Sequence, residues 1–219
     1  MTLLHTSFAR LLLPVPAIAL FLLALAHLAS GIADEKAAPA IANMASDTPL
    51  PPTMYRAAAR ILSGATMRDG DSQIARAEAM ANSGAPRDEA LRVIEAALAH
   101  SPAAARGWLV LAGLLGRGDP RRAVAALSVA IEIAPTEYFL VPLRARAGAP
   151  LWRYLSGNAQ AILLDDARLL ADDPGLRPQF LALLAAPDGA ALATRALAGD
   201  PRRIRALNRG LVRDEAAGR

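Results

Sequence analysis

The sequence predicts an all-α protein: an N-terminal transmembrane or signal helix, then a short array of helical hairpins with extra C-terminal helices. Apolar residues recur at helical spacing, as in Trp108, Leu111, Ala112 and Leu115, at i, i+3, i+4 and i+7. Alanine is abundant and β-branched residues are sparse, a composition that favours helix. Residues 11–33 carry no charge. As a helix that run would span roughly 34 Å, enough for a bilayer core of about 30 Å. Four segments follow from these patterns: residues 1–33 as signal-anchor or transmembrane helix, 34–52 as linker, 53–150 as helical repeats and 151–219 as a C-terminal helical region.

The N-terminal segment opens with His5 and Arg10 ahead of the uncharged run. Two readings of the run stay open. Its length favours a retained single-pass anchor. Pro14, Pro16 and the small residues Gly31 and Ala33 favour a cleaved secretory signal. The anchor is preferred, with Arg10 inside and Asp34 onward outside. The expected location is therefore a bacterial-type inner membrane, with the C-terminal domain in the periplasm. The linker is interrupted by Pro39, Pro49, Pro51 and Pro52 and reads as a tether of intermediate stiffness.

A short helix is predicted over residues 53–62, with Met54, Ala57, Ala58, Ile61 and Leu62 on one side and Arg56 and Arg60 on the other. Residues 63–70 form a loop. A pattern then occurs twice, 33 residues apart: Ala90, Ile94, Ala97 and Pro102, and Ala123, Leu127, Ala130 and Pro135. In the second copy, Gly116-Arg117-Gly118 breaks the first helix. Asp119 offers an N-cap oxygen and Pro120 takes the first helical position, starting a helix that Pro135 stops. In the first copy, residues 72–81 form the first helix and Asn82-Ser83-Gly84 ends it. Pro86, Asp88 and Glu89 open the second, because acids suit a helix N-terminus.

These residues resemble the tetratricopeptide repeat over residues 72–135. Trp108, Leu111, Ala112, Leu115, Ala123, Leu127, Ala130 and Pro135 fill the family's positions. Ala112 stands for the usual Gly, Leu115 and Leu127 for aromatics, and Ala75 stands where the first copy needs Trp. The resemblance implies a concave face lined by first-helix residues: Gln73, Arg76 and Met80 in the first copy, Arg106, Leu109 and Gly113 in the second. Such a groove takes a peptide or partner helix.

Residues 137–147 read as the first helix of a third, atypical unit, disturbed by Pro142 and without a second helix at the repeat's spacing. Helices are then predicted over 158–171, 176–185, 187–198 and 201–213. The pentapeptide Gly-Asp-Pro-Arg-Arg occurs at 118–122 and again at 199–203, the same helix-start device twice.

Cysteine is absent, which excludes disulfides, thiolate metal sites and a cysteine nucleophile. The net charge is +4 and Lys36 is the only lysine. The arginines are scattered, so nucleic acid is not the expected partner. Asp165, Asp166, Asp172 and Asp173 stack over two turns in a way that suits a hard cation, but Arg168 pairs Asp165 at i+3 and the set reads as a solvated face. His5, His27 and His100 are too dispersed to converge, and no glycine-rich phosphate loop occurs. No cofactor or metal is expected. Arg202, Arg203, Arg205, Arg209, Arg213 and Arg219 make a basic end open to acidic glycan or lipid head groups. It is read as a solvated helix with a frayed tail. Trp152 and Tyr154 read as core anchors.

The pattern points to a non-catalytic, membrane-anchored scaffold that binds proteins in envelope assembly or export, with surface polysaccharide as the expected cargo. The alternative is a cleaved, soluble periplasmic module that binds an acidic glycan through its basic end.

Overall fold

A computed structural model describes residues 50–63 and 70–198, and every regular element among them is helical. The predicted membrane span, most of the linker and the basic end from Arg202 lie outside the described residues. Among those described, no helix is long and apolar enough to cross a membrane.

Nine α-helices are described. Helix α1 is Pro52–Leu62, α2 is Gly70–Ser83, and α3 is Arg87–His100, with Asp88 and Glu89 in its first turn. Helix α4 is Ala105–Leu115 and α5 is Pro120–Ile133. The breakers act as their chemistry dictates. Gly84 ends α2 at φ 79°, in the left-handed region, and the Ala85 N–H returns to the Met80 carbonyl. Gly116, at φ 42°, ends α4. A short 3₁₀ turn, Gly116–Gly118, leads to Asp119, whose side chain accepts from the Arg122 N–H at 3.2 Å while Pro120 starts α5.

The third unit differs from the sequence expectation. Tyr138–Leu140 forms a 3₁₀ turn that runs straight into α6, Val141–Gly148. Pro142 lies in the first turn of α6, where its missing N–H costs nothing, so it opens the helix rather than disturbing it. A second helix of this unit exists as well. After the 3₁₀ segment Ala149–Tyr154, α7 spans Gly157–Asp172 and packs against α6. Its N-cap is Ser156, whose oxygen accepts from the Ala159 N–H at 3.3 Å. Helices α8, Arg177–Leu184, and α9, Pro187–Leu197, complete the described chain.

Helices α2 and α3, α4 and α5, and α6 and α7 pair as successive hairpins, and α4 packs against both α2 and α6. This packing is compatible with a helical repeat. One apolar core runs from Ile74 to Leu197, so residues 151–197 share the core of the preceding hairpins. Gly107 lets α4 close on its neighbours: a Cβ there would meet Leu98 at 2.8 Å and Ile74 at 3.0 Å. Alanines fill the tightest positions, with Ala77, Ala90, Ala112 and Ala123 fully buried. A second, smaller cluster joins Tyr55, Ala58 and Leu62 of α1 to Ala75 and Ala79 of α2.

Candidate functional site

The side of the array where α2, α4 and α6 lie next to one another carries two hollows. The first, of about 450 Å³, is bounded by Glu78, Ala81 and Asn82 from α2, Leu109, Val110, Gly113 and Leu114 from α4, and Leu143, Arg146 and Ala147 from α6. Arg87 closes one end. The second, of about 490 Å³, is lined by Asp71, Ile74 and Ala75 of α2, the start of α4 through Arg106, and Ile133, Glu137 and Phe139.

The two hollows are separated by an ion pair. The Arg106 guanidinium donates through Nε and Nη2 to both carboxylate oxygens of Glu78, at 2.9–3.1 Å. Glu78 is almost fully buried and Arg106 about one-fifth exposed. Glu78 lines the first hollow and Arg106 the second. Arg87 is fixed from the other side, donating to the Leu115 carbonyl at 2.5 Å. The same carbonyl accepts from the Asp119 N–H at 3.3 Å, and a cationic group at the C-terminus of α4 suits the helix dipole.

Of the residues expected on the groove, Leu109 and Gly113 line the first hollow and Arg106 the second. Gln73, Arg76 and Met80 line neither. Gln73 and Met80 are buried and Arg76 is half-buried. The hollows lie in the creases between neighbouring first helices. Each crease takes opposite flanks of its two walls, so α2 offers Glu78 and Asn82 where α4 offers Leu109 and Gly113, and Asp71 and Ile74 where α4 offers Arg106. Equivalent positions of the two copies therefore point different ways. Glu78, Asn82, Arg87 and Arg146 were missed. Glu78 carries a readable signal: it stands 33 residues before Leu111, a carboxylate where the second copy has an apolar side chain.

Gly113 has open space around it. A Cβ built there meets nothing within 4 Å.

The aspartates of α7 separate by environment. Asp165 pairs with Arg168 at 2.7 Å on the surface, as its spacing predicts. Asp166 does not belong to a solvated face. It is 5% exposed and accepts from Arg144 Nε at 2.6 Å and Nη2 at 2.7 Å, while Arg144 Nη1 donates to the Ala134 carbonyl at 3.0 Å. Burial pushes the Asp166 carboxyl above its ordinary value, and Arg144 pulls against that shift. Asp173 accepts from the Tyr138 hydroxyl at 2.5 Å and from the Gly175 N–H at 2.7 Å. The Tyr138 hydrogen bond holds its carboxyl below the usual range, and the same bond raises the Tyr138 phenol. Among the described residues, no group of three or more potential ligands is placed to hold a metal.

Trp152 is half-buried against the core, with the Arg195 guanidinium 5.3 Å from its ring centroid. Tyr154 differs from the expectation: it is 47% exposed, with Arg153 over its ring. The 3₁₀ turn directs these alternate side chains to different sides. The arginines of the basic end lie outside the described residues.

Neither protein-family models nor curated proteins give a match to this chain.

Proposed function

We propose that this protein is a non-catalytic scaffold, a tetratricopeptide-like array held at the inner membrane by residues 11–33, that binds partner proteins in the periplasm. The process we assign is envelope assembly or export, with surface polysaccharide as the cargo. The observation that carries the reading is the pair of hollows along α2, α4 and α6. The walls of the first mix Leu109, Val110, Leu114 and Leu143 with Arg87 and Arg146. An apolar floor with a cationic edge suits an acidic, partly apolar segment of a partner, and the Glu78–Arg106 pair divides that segment's path into two subsites.

The experiment is site-directed photo-cross-linking in membranes at positions around Gly113, followed by identification of the adducts. A defined protein partner is expected. Gly113→Gln should abolish the adduct while leaving the fold intact, because the new side chain enters open space rather than the core. Adducts that form equally well with the variant, or no protein adduct at all, would remove the scaffold reading. The mass of the native protein tests the anchor: a chain beginning near Asp34 means a cleaved leader.

A further inference from the structure

Helix α1 has an apolar surface wider than the face it buries. Tyr55, Ala58 and Leu62 pack against α2. Met54, Ala57 and Ile61, three and four residues apart, form a second stripe beside them that is left open. Met54 is 46% and Ile61 41% exposed. The remaining side carries Arg56 and Arg60, α1 contains no acidic residue, and neither guanidinium has an ion-pair partner among the described residues. An apolar stripe beside arginines, on a helix without acids, is the pattern of a helix that lies in the plane of an anionic lipid surface.

Chain geometry brings α1 to such a surface. The uncharged run ends at Ala33, and the described chain resumes at Leu50, 17 residues later. Seventeen residues can span at most about 60 Å. A bilayer that holds residues 11–33 is therefore within the chain's reach of α1. A second copy of the chain fits less well as occupant. An 11-residue helix is about 16 Å long, and one stripe on it falls far short of the roughly 1,000 Å² that a specific protein interface needs.

We infer that the Met54–Ala57–Ile61 stripe docks on the anionic lipid head-group region of the membrane that holds the chain, with Arg56 and Arg60 on the lipid phosphates. The inference rests on the anchored reading of residues 11–33. Docking orients the array: α1 lies against the bilayer and the later hairpins extend from it.

The absence of cysteine makes the test direct, because a single introduced cysteine carries the only label. Full-length protein with Met54→Cys or Ile61→Cys, each nitroxide-labelled, is reconstituted into vesicles of phosphatidylcholine with or without phosphatidylglycerol. Ala125→Cys, exposed on α5, is the control. Collision of the label with oxygen and with a water-soluble nickel chelate is read by power saturation. With phosphatidylglycerol, labels at 54 and 61 should favour oxygen and the label at 125 the chelate. Phosphatidylcholine alone should shift 54 and 61 towards the chelate. Arg56→Gln combined with Arg60→Gln should weaken docking about 30-fold. Chelate-accessible labels at 54 and 61 in chain that floats with the vesicles would overturn the inference and leave the anchor standing. So would labels shielded from both reagents, which means a protein segment covers the stripe, or dipolar broadening lost on dilution with unlabelled chain, which means a second copy does. Chain that floats with neither vesicle overturns the anchor, and this inference with it.

Discussion

Removing the Asp166 carboxylate should be among the most damaging single changes available in this protein. Asp166 and Arg144 are both almost completely buried and share a two-point hydrogen bond. Asp166→Ala leaves the Arg144 guanidinium in the core with the Ala134 carbonyl as the remaining partner shown for it. Breaking such a pair by removing one member costs about 3–5 kcal/mol. At roughly 3 °C per kcal/mol for a domain of this size, Tm should fall by about 10–15 °C. Replacing both members with apolar residues of similar volume, Arg144→Met and Asp166→Leu, removes the stranded charge. The double variant should recover most of the loss, short of the roughly 1–3 kcal/mol for an unsatisfied Ala134 carbonyl. Urea and thermal unfolding of the four proteins in the cycle give the coupling energy directly. If Asp166→Ala lies within about 1 kcal/mol of wild type, the pair is not desolvated as its burial implies. The reasoning also fails if the double variant is no better than the single.

Four further outcomes follow from the packing and the titrating groups. Deleting residues 151–219 takes Leu151, Leu163 and Asp166 from a shared core; circular dichroism should show that the remaining repeats lose their cooperative melt. Gly148→Ala drives a Cβ into Leu163 and should cost about 1–3 kcal/mol by urea denaturation, whereas Gly113→Gln, facing open space, should gain about 0.5–1 kcal/mol from helix propensity. Asp173 is held low by Tyr138, so its contribution is present above the unfolded carboxylate range and is lost as pH falls through the lowered value. Carboxylate chemical shifts should show it titrating late on acidification, and Tyr138→Phe should shift it back. Tyr138 is raised, so its contribution is present below the ordinary phenol range and is lost as pH rises through the higher value. Its phenolate should form above the ordinary phenol range in an absorbance titration, and Asp173→Asn should bring it back.

Local chemistry made much of the helical frame readable. Asp119-Pro120 starts α5 and Gly84 ends α2 because those residues have few alternatives there. What escaped was set by contacts between distant segments. Pro142 was read as a breaker because nothing local says that a helix begins just before it. Asp166 was read with its neighbours Asp165, Asp172 and Asp173, and only the fold brings Arg144, 22 residues away, against it. The residues expected on the groove divide for the same reason: Gln73, Arg76 and Met80 line neither hollow. A repeat register assigns equivalent positions to α2 and α4, yet a crease between two helices is lined by non-equivalent flanks. On α4, Arg106, Leu109 and Gly113 line the hollows, and α4 has a neighbouring first helix on each side.

The separate small cluster under α1 has a mechanical consequence. On the anchored reading proposed above, the chain enters the described domain at α1, so a pull from the membrane would arrive there first. Tyr55, Ala58 and Leu62 are held by Ala75 and Ala79 alone among core residues, whereas α2 is also gripped through Ile74 and Ala77 in the main core. Under load, α1 should peel away while α2 stays seated, and its amides should exchange with solvent well before those of the hairpins. On that reading α1 acts as a fuse: the first element to yield is the one whose loss leaves the hollows along α2 and α4 whole.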